Sequence, residues 1–485
     1  TSDSLADKID DSRKLAAQSG CHILLKGADS VIVSPDGVAS ISAQFCPWLS
    51  TAGTGDILAG IIASRLASGA SGYRAACEGQ WLFMTETANP DLIIRVAAKG
   101  DGVTADGRHV AFSAPLDRLN DEGGLIKGPH HVDPPCQHFQ SCGGCSLQQL
   151  DTESYTEFLT DRVAYALEGQ GLHAELMHPP RISQPKTRIR ASLRAAKLGD
   201  QFKLGFSGAG SHRIVDLKQC EIMVPEMFDL LAPLRKFLKN ASRRKHDMNI
   251  EMTLVDQGID LLISNYEPEG LEQREALSDF AKANGLARLS VDGGYGPETQ
   301  WEPEPVTVTL SGTAVNFPHS GFLQPTQDGQ KVLIAAMLEA IGDAKLVADL
   351  FAGLGTFTFA LSADKKVYAA EGARDAIGSL KLAANHSSRQ IFCEHRDLFR
   401  RPLSVEELNR FDAVILDPPR AGAREQILQL AQSNVPKICY ISCNPASFAR
   451  DAKQLCEAGY KLEQVWPVGQ FLWSTHVEIV SSFTR

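Results

Sequence analysis

"LVADLFAGLGTFTFALS", Leu346–Ser362, is the stretch whose reading decides the fold. A short apolar run, Leu346–Phe351, reads as a strand. Gly353 and Gly355 then make a turn, and an apolar helical pattern follows. Glycines at such a turn let the backbone approach a ligand closely. They would equally serve tight packing, and the diphosphate-binding pattern G-x-G-x-x-G is absent. The next strand, "KKVYAAE", ends on Glu371, where a carboxylate can bind a ribose diol in nucleotide-binding α/β folds. Further apolar runs, Ala413–Leu416 and Ile438–Ile441, alternate with helical patterns from about Gln324 onward. Strands separated by helices predict an α/β domain with a doubly wound, mostly parallel sheet.

Two strand exits carry chemistry. In "FDAVILDPPRAGA", Phe411–Ala423, two prolines end the strand and stiffen a loop that holds Asp417 at the carboxyl edge of the sheet. In "CYISCNPASFARD", Cys439–Asp451, Cys439 lies inside the apolar run. Cys443 sits at its exit, where loops present reactive groups above a parallel sheet. A third motif, "PPCQHFQSCGGCSLQQ", Pro134–Gln149, crowds Cys136, Cys142 and Cys145 into one loop. Three thiolates so close can bind a metal centre, with a fourth ligand from elsewhere. Cys220 in "HRIVDLKQCEIM" is the candidate. Spacing alone leaves zinc and an iron–sulfur cluster equally open.

The chain has 485 residues, a length that suggests about three domains. Its eleven cysteines point to metal or catalytic use rather than a disulfide scaffold. No leader and no long apolar stretch is present, so a cytoplasmic protein with no membrane partner is expected. The chain begins with Thr1, which suggests a fragment. A net charge of −10 gives no general support for a polyanion partner, so any nucleic-acid surface must be local. "RISQPKTRIRASLRAAK" offers Arg181, Lys186, Arg188, Arg190, Arg194 and Lys197 without an acidic residue, and "RKFLKNASRRK", Arg235–Lys245, is a second basic run. Cys21, Cys46, Cys77, Cys393, Cys439 and Cys456 are expected to be core residues.

Taken together, "FLQPT" (Phe322–Thr326), "DLFAGLGTF" (Asp349–Phe357), "LDPPR" (Leu416–Arg420), "SCNP" (Ser442–Pro445) and "HVEIV" (His476–Val480) resemble the RNA uracil 5-methyltransferases, over about Cys136 to Arg485. The resemblance implies S-adenosylmethionine as cofactor and a Rossmann-like methyltransferase domain. It implies Cys443 as nucleophile, Glu478 as base and Asp417 as the carboxylate that contacts the target base. It places Gln324, Phe351, Thr356, Glu371, Asp397 and Asp417 around the cofactor; many relatives carry Asn in place of Thr356. It also implies that Cys136, Cys142, Cys145 and Cys220 hold a [4Fe–4S] cluster, as in the iron–sulfur branch of the family. That branch makes 23S ribosomal RNA the expected substrate, with transfer RNA the alternative, no DNA partner and a monomeric enzyme.

Near the start, "KGADSVIVSPDG" followed by "TAGTGDILAGI" is similar to the C-terminal part of the NAD(P)H-hydrate dehydratases, which have a ribokinase-like fold. Gly53 and Gly55 would form an anion nest at a helix start, and Asp56 matches an acidic residue that contacts substrate in that family. About 90 residues are too few for that fold, so a truncated fragment without dehydratase activity is expected. The expected organisation is then 1–90 as this fragment, 91–130 as a shortened β RNA-binding module, 131–320 as the cysteine loop with a central α+β RNA-binding domain, and 321–485 as the methyltransferase domain. Too few strands are expected in 91–130 for a five-stranded barrel.

Overall fold

The structure, a computed structural model, describes residues 5–26, 30–42, 54–67, 70–87, 90–198, 201–241 and 247–485. The chain divides into two compact units, Thr1–Val132 and Asp133–Arg485. No helix among the described residues is long and apolar enough to cross a membrane.

In the first unit, helix Leu5–Ser19 lies on an antiparallel sheet of Ile23–Leu25, Ser30–Val33 and Ala39–Ser42. Asp36 and Gly37 form the turn of its second hairpin, and Gly37 takes the positive φ that the turn requires. A small cluster, Ala16, Val31 and Val33, packs at its centre, and Ile32 is buried as well. Helices Thr54–Ala67 and Gly72–Thr87 follow. Asp56 is exposed on the first of these; Gly53 lies outside the described residues.

The stretch from Ile93 to Ile126 corrects the strand expectation. It contains five strands, Ile93–Val96, Gly102–Thr104, His109–Val110, Arg118–Leu119 and Leu125–Ile126. They fit because each is only two to four residues long. They form a three-stranded sheet and a hairpin, joined where Ile93 exchanges backbone hydrogen bonds with Leu116 and Asp117. Buried Asp117 fixes the corner by accepting from the Ala114 and Gly128 N–H groups and pairing with His131.

The second unit holds two large sheets. The six-stranded one runs Gln201–Gly205, Arg190–Leu198, Met248–Val255, Gly258–Ser264, Arg288–Asp292, Glu298–Trp301. Helices Leu231–Ala241 and Gly270–Ala283 cover it through Leu234, Leu238, Leu277 and Phe280. Inside it, Arg288 makes two 2.8 Å bonds to Asp260, a buried pair that is satisfied on both oxygens.

The nine-stranded sheet builds the site. Its main path is Arg181–Ile182, Lys461–Gly469, Glu478–Thr484, Lys437–Ser442, Ala413–Leu416, Leu346–Leu350, Lys366–Glu371, Ile391–His395, with Leu176–Met177 beside Lys461–Gly469. The five strands from Lys437–Ser442 to Ile391–His395 are parallel, and Glu478–Thr484 is antiparallel to both its neighbours. Ala413–Leu416 is buried throughout, which is why it reads as a continuous apolar run rather than an alternation. Leu346–Leu350 pairs on one side with the next strand in sequence and on the other with Ala413–Leu416. The strand order therefore reverses there, and the crevice beyond its carboxyl end is where open α/β sheets bind ligands.

Candidate active site

The glycine-rich loop is held to its neighbouring strand by main-chain bonds. Phe351 takes a left-handed φ of 66°, uncommon for a bulky residue. In that conformation the N–H groups of Phe351 and Ala352 both reach Ala370 O, at 3.0 and 3.1 Å. Glu371 accepts from Gly353 N–H at 2.9 Å and from Ala373 N–H at 2.7 Å, one bond on each oxygen. Each oxygen keeps a lone pair free for a ligand hydroxyl. Gly355 is required twice over: its φ is 94°, and a Cβ there would lie 2.9 Å from the Phe359 ring. Beneath the loop, buried Asp349 accepts from the Thr358 hydroxyl at 2.5 Å, and burial pushes its carboxyl up to about 6.

The loop opens into a cavity of about 700 Å³. Gln324, Phe351, Thr356, Glu371, Asp397 and Asp417 all line it, and so do Cys443 and Glu478. Positions more than 150 residues apart in the chain thus meet in one cavity, as Gln324 and Glu478 do. Phe351 and Phe399 stand 5.5 Å apart, and Asp397 accepts from the Phe399 N–H at 3.0 Å. Phe322, Arg420, Phe471 and His476 complete the wall, although sequence reading gave them no role. Arg420 and His476 lay inside quoted motifs and could have been found. Phe471 lies in a loop with no chemical signature and is placed only by the fold.

Cys443 is fixed by its neighbours. Asn444 caps helix Pro445–Glu457 by accepting from Ala446 N–H at 3.1 Å, and proline suits the first helical position. The Asn444 side-chain N–H reaches across to Arg420 O at 3.0 Å, tying the cysteine loop to the Asp-Pro-Pro-Arg loop. Burial pushes the half-buried Cys443 thiol up to about 11, reinforced by Glu478 and Asp417 and opposed by Arg420. Glu478 opens the antiparallel strand and is buried. Burial raises its carboxyl to about 7, against a hydrogen bond from Gln470 and the charge of Arg420. Asp417 is held well above the carboxylate range, by burial first and then by Glu478, Asp349 and Glu371. A carboxyl that titrates near neutrality beside a cysteine can exchange a proton at physiological pH.

The four cysteines of the sequence motif also meet. Cys136, Cys142, Cys145 and Cys220 line one small cavity with Phe139, Phe206 and Leu217. Burial raises the Cys142, Cys145 and Cys220 thiols, so a cation is needed to hold them as thiolates. No three of the sulfurs all lie within 4.8 Å of one another. Tetrahedral zinc, with Zn–S of about 2.3 Å, would draw them to about 3.8 Å. Of the other cysteines, Cys439 is buried, whereas Cys21 is exposed, which corrects its expected core position. Cys46 lies outside the described residues.

The basic segment is largely committed inward. Arg188 donates to Arg190 O at 2.8 Å and lies 5.5 Å from the centre of the Phe471 ring. Arg190 donates to Leu323 O and stacks on Phe322 at 5.0 Å. Arg194 pairs with Asp247, and Lys186 with Glu221. Expected phosphate contacts are therefore better sought at Arg181 and Lys197. In the second run Arg235 is held by Asp216, and residues 242–246 lie outside the described residues.

Comparison with known proteins agrees with this geometry. Residues 303–484 match the tRNA (Uracil-5-)-methyltransferase family, and residues 2–89 match the NAD(P)H-hydrate dehydratase family. An uncharacterized RNA methyltransferase of Zymomonas mobilis is 52% identical over 81% of this chain and 99% of its own length. The 23S rRNA (uracil(1939)-C(5))-methyltransferase of Halomonas elongata is 30% identical over 72% of this chain and 75% of its own. The tRNA (uracil-54, C5)-methyltransferase of Pyrococcus abyssi, solved with S-adenosyl-L-homocysteine, superposes with a TM-score of 0.63 at 22% identity, covering 81% of this chain and 99% of its own.

Proposed function

Because this chain belongs to the RNA uracil-5-methyltransferase family and is an S-adenosylmethionine-dependent enzyme, we propose that it methylates carbon 5 of a uridine in 23S ribosomal RNA through Cys443. The observation that carries this reading is the convergence of Cys443, Asp417 and Glu478 with the glycine-rich loop on one cavity. The ribosomal substrate rests on the Halomonas relative and on the four cysteines. Residues 91–130 and 131–320 are assigned to RNA capture, and 321–485 to catalysis.

Carbon 5 of uracil is too weak a nucleophile to take a methyl group unaided. Cys443, having given up its thiol proton to solvent, adds to carbon 6 as the thiolate, and the ring electrons move to an enolate that makes carbon 5 nucleophilic. Burial raises the Asp417 carboxyl, and in its protonated form it is suited to donate a hydrogen bond to the ring as the enolate forms. S-adenosylmethionine, when bound, supplies the methyl group. Glu478 then takes the proton from carbon 5, the electron pair re-forms the ring double bond, and Cys443 leaves as thiolate. Gln324, Phe351, Thr356, Glu371 and Asp397 would hold the cofactor. A flipped-out base is needed to reach Cys443.

Cys136, Cys142, Cys145 and Cys220 would hold a [4Fe–4S] cluster. Their four-thiolate donor set fits a cluster and a single zinc ion alike, and the iron–sulfur branch of the family favours the cluster. Burial lowers the Arg188 pKa, opposed by Cys145, Cys220 and Cys142, so that thiolates at these positions would support its charge.

RNA containing 5-fluorouracil tests the nucleophile, because fluorine at carbon 5 blocks elimination and traps the adduct. The parent enzyme should shift to a protein–RNA band on a denaturing gel, and Cys443→Ala should not. Glu478→Gln should accumulate the same adduct on ordinary RNA. A stable adduct from Cys443→Ala would overturn the assignment.

A further inference from the structure

Gln470 lies just beyond strand Lys461–Gly469 and is 2% exposed. In the antiparallel ladder Val468 is opposite Glu478. Side chains two residues apart share a face, so Gln470 is a diagonal neighbour of Glu478. Its amide N–H donates to Gln324 Oε1 at 2.8 Å, with both side chains buried, and from its diagonal position the same amide favours the ionised form of Glu478. The start of helix Gln327–Ile341 is moulded to it: a Cβ at Gly329 would lie 2.7 Å from Gln470 Cβ and 2.7 Å from its Oε1. One side chain, held from behind, is therefore bonded to a residue of the cofactor side of the cavity and is the neighbour of the carboxyl of the reacting side.

We propose that Gln470 is a positioning residue, whose amide clamps Glu478 and Gln324 in a fixed relation so that the base meets the carbon 5 proton only beside a seated cofactor. The proposal rests on Glu478 being the base. Gln470 is not among the residues that line the cavity and acts through these two partners. It favours the ionised form of Glu478, so its removal raises the Glu478 pKa and leaves less base at a given pH. The other charged or titratable groups facing Glu478 are Arg420, Asp417 and Cys443. Asp417 and Cys443 act on Glu478 in both parent and variant, so the difference isolates the amide.

The experiment follows tritium release from RNA carrying [5-³H]uridine in single turnovers of the full chain, across pH 5.5 to about 9. Gln470→Met, which keeps the length but loses the donor, should slow release at least about tenfold at pH 7. Its acid limb should move up by about one pH unit, and saturating S-adenosylmethionine should not restore it. Gln470→Glu, which sets a second carboxyl beside Glu478, should move the limb in the same direction and covers the case where the methionine variant does not fold. S-adenosylhomocysteine should bind more weakly to both, because Gln324 loses its partner. A parental rate and limb in a folded Gln470 variant, while Glu478→Gln blocks release, would overturn the clamp and leave the base intact. Release that persists in Glu478→Gln would instead overturn the base, and the clamp with it.

Discussion

Cys443, the proposed nucleophile, is kept protonated by its own surroundings. Burial and the neighbouring Glu478 and Asp417 carboxyls raise the thiol, while Arg420 favours the thiolate. Iodoacetamide alkylation of Cys443, read by peptide mass, should therefore rise with pH toward a midpoint near 11. Glu478 titrates near 7 and is ionised throughout that rise, so Glu478→Gln removes a like charge and should move the midpoint down. An unchanged midpoint would mean that the two groups do not face each other in solution. Cys443 and Asp417 were legible as candidates in the sequence, because a cysteine and an aspartate at strand exits have few structural reasons to be there, whereas Glu478 was singled out only by the family resemblance. Gln470 and Phe471 were not legible, since an amide and an aromatic in a loop acquire meaning only from what packs beside them. The surroundings of Arg188 were hidden for the same reason: a charge run resembles a solvated face until Phe471 is found over it.

At the scale of elements, the parallel strands could be read because burial on both faces leaves a continuous apolar run. The two-residue strands could not, since so short a segment has no periodicity to read. The cysteine loop shows what elements add to a motif. Ser146 and Leu147 donate their N–H groups to Trp473 O at 2.8 and 3.0 Å, and Tyr155 reaches Phe471 O and Ser474 O. The cage is thereby bonded to the segment that carries Phe471 and His476 into the active-site wall. Cys220 closes it from a distant position, beside the backbone bonds that join Lys186 and Arg188 to Glu221 and Ile222. Anaerobically purified protein should contain about four irons per chain, and Cys220→Ser should lose most of them. Stoichiometric zinc without iron would overturn the cluster reading.

At the scale of the whole molecule, everything the proposed mechanism uses lies in Asp133–Arg485: the cofactor loop, Asp417, Cys443, Glu478 and the four cysteines. Four fifths of this chain covers the Zymomonas relative almost end to end, and the dehydratase match is confined to residues 2–89. That first segment buries little apolar surface. Among the described residues Leu15, Val38, Ile41, Ile57 and Leu66 are each more than 40% exposed, and the buried apolar side chains are mostly small, with Ile32 and Leu58 the largest. Contiguous exposed apolar surface favours association. The strands of Ile93–Ile126, by contrast, are tied together by their own backbone bonds and by Asp117, none of which needs residues before Pro90. A chain beginning at Asp91 should therefore methylate RNA at an undiminished rate and remain monodisperse at higher concentration. The measurement is methyl transfer from labelled S-adenosylmethionine, with both chains at equal folded concentration and equal iron content. A large loss of activity in the shorter chain, with its iron intact, would place part of the RNA-binding surface in residues 1–90, and the segment similar to a dehydratase would then be a working part of the methyltransferase.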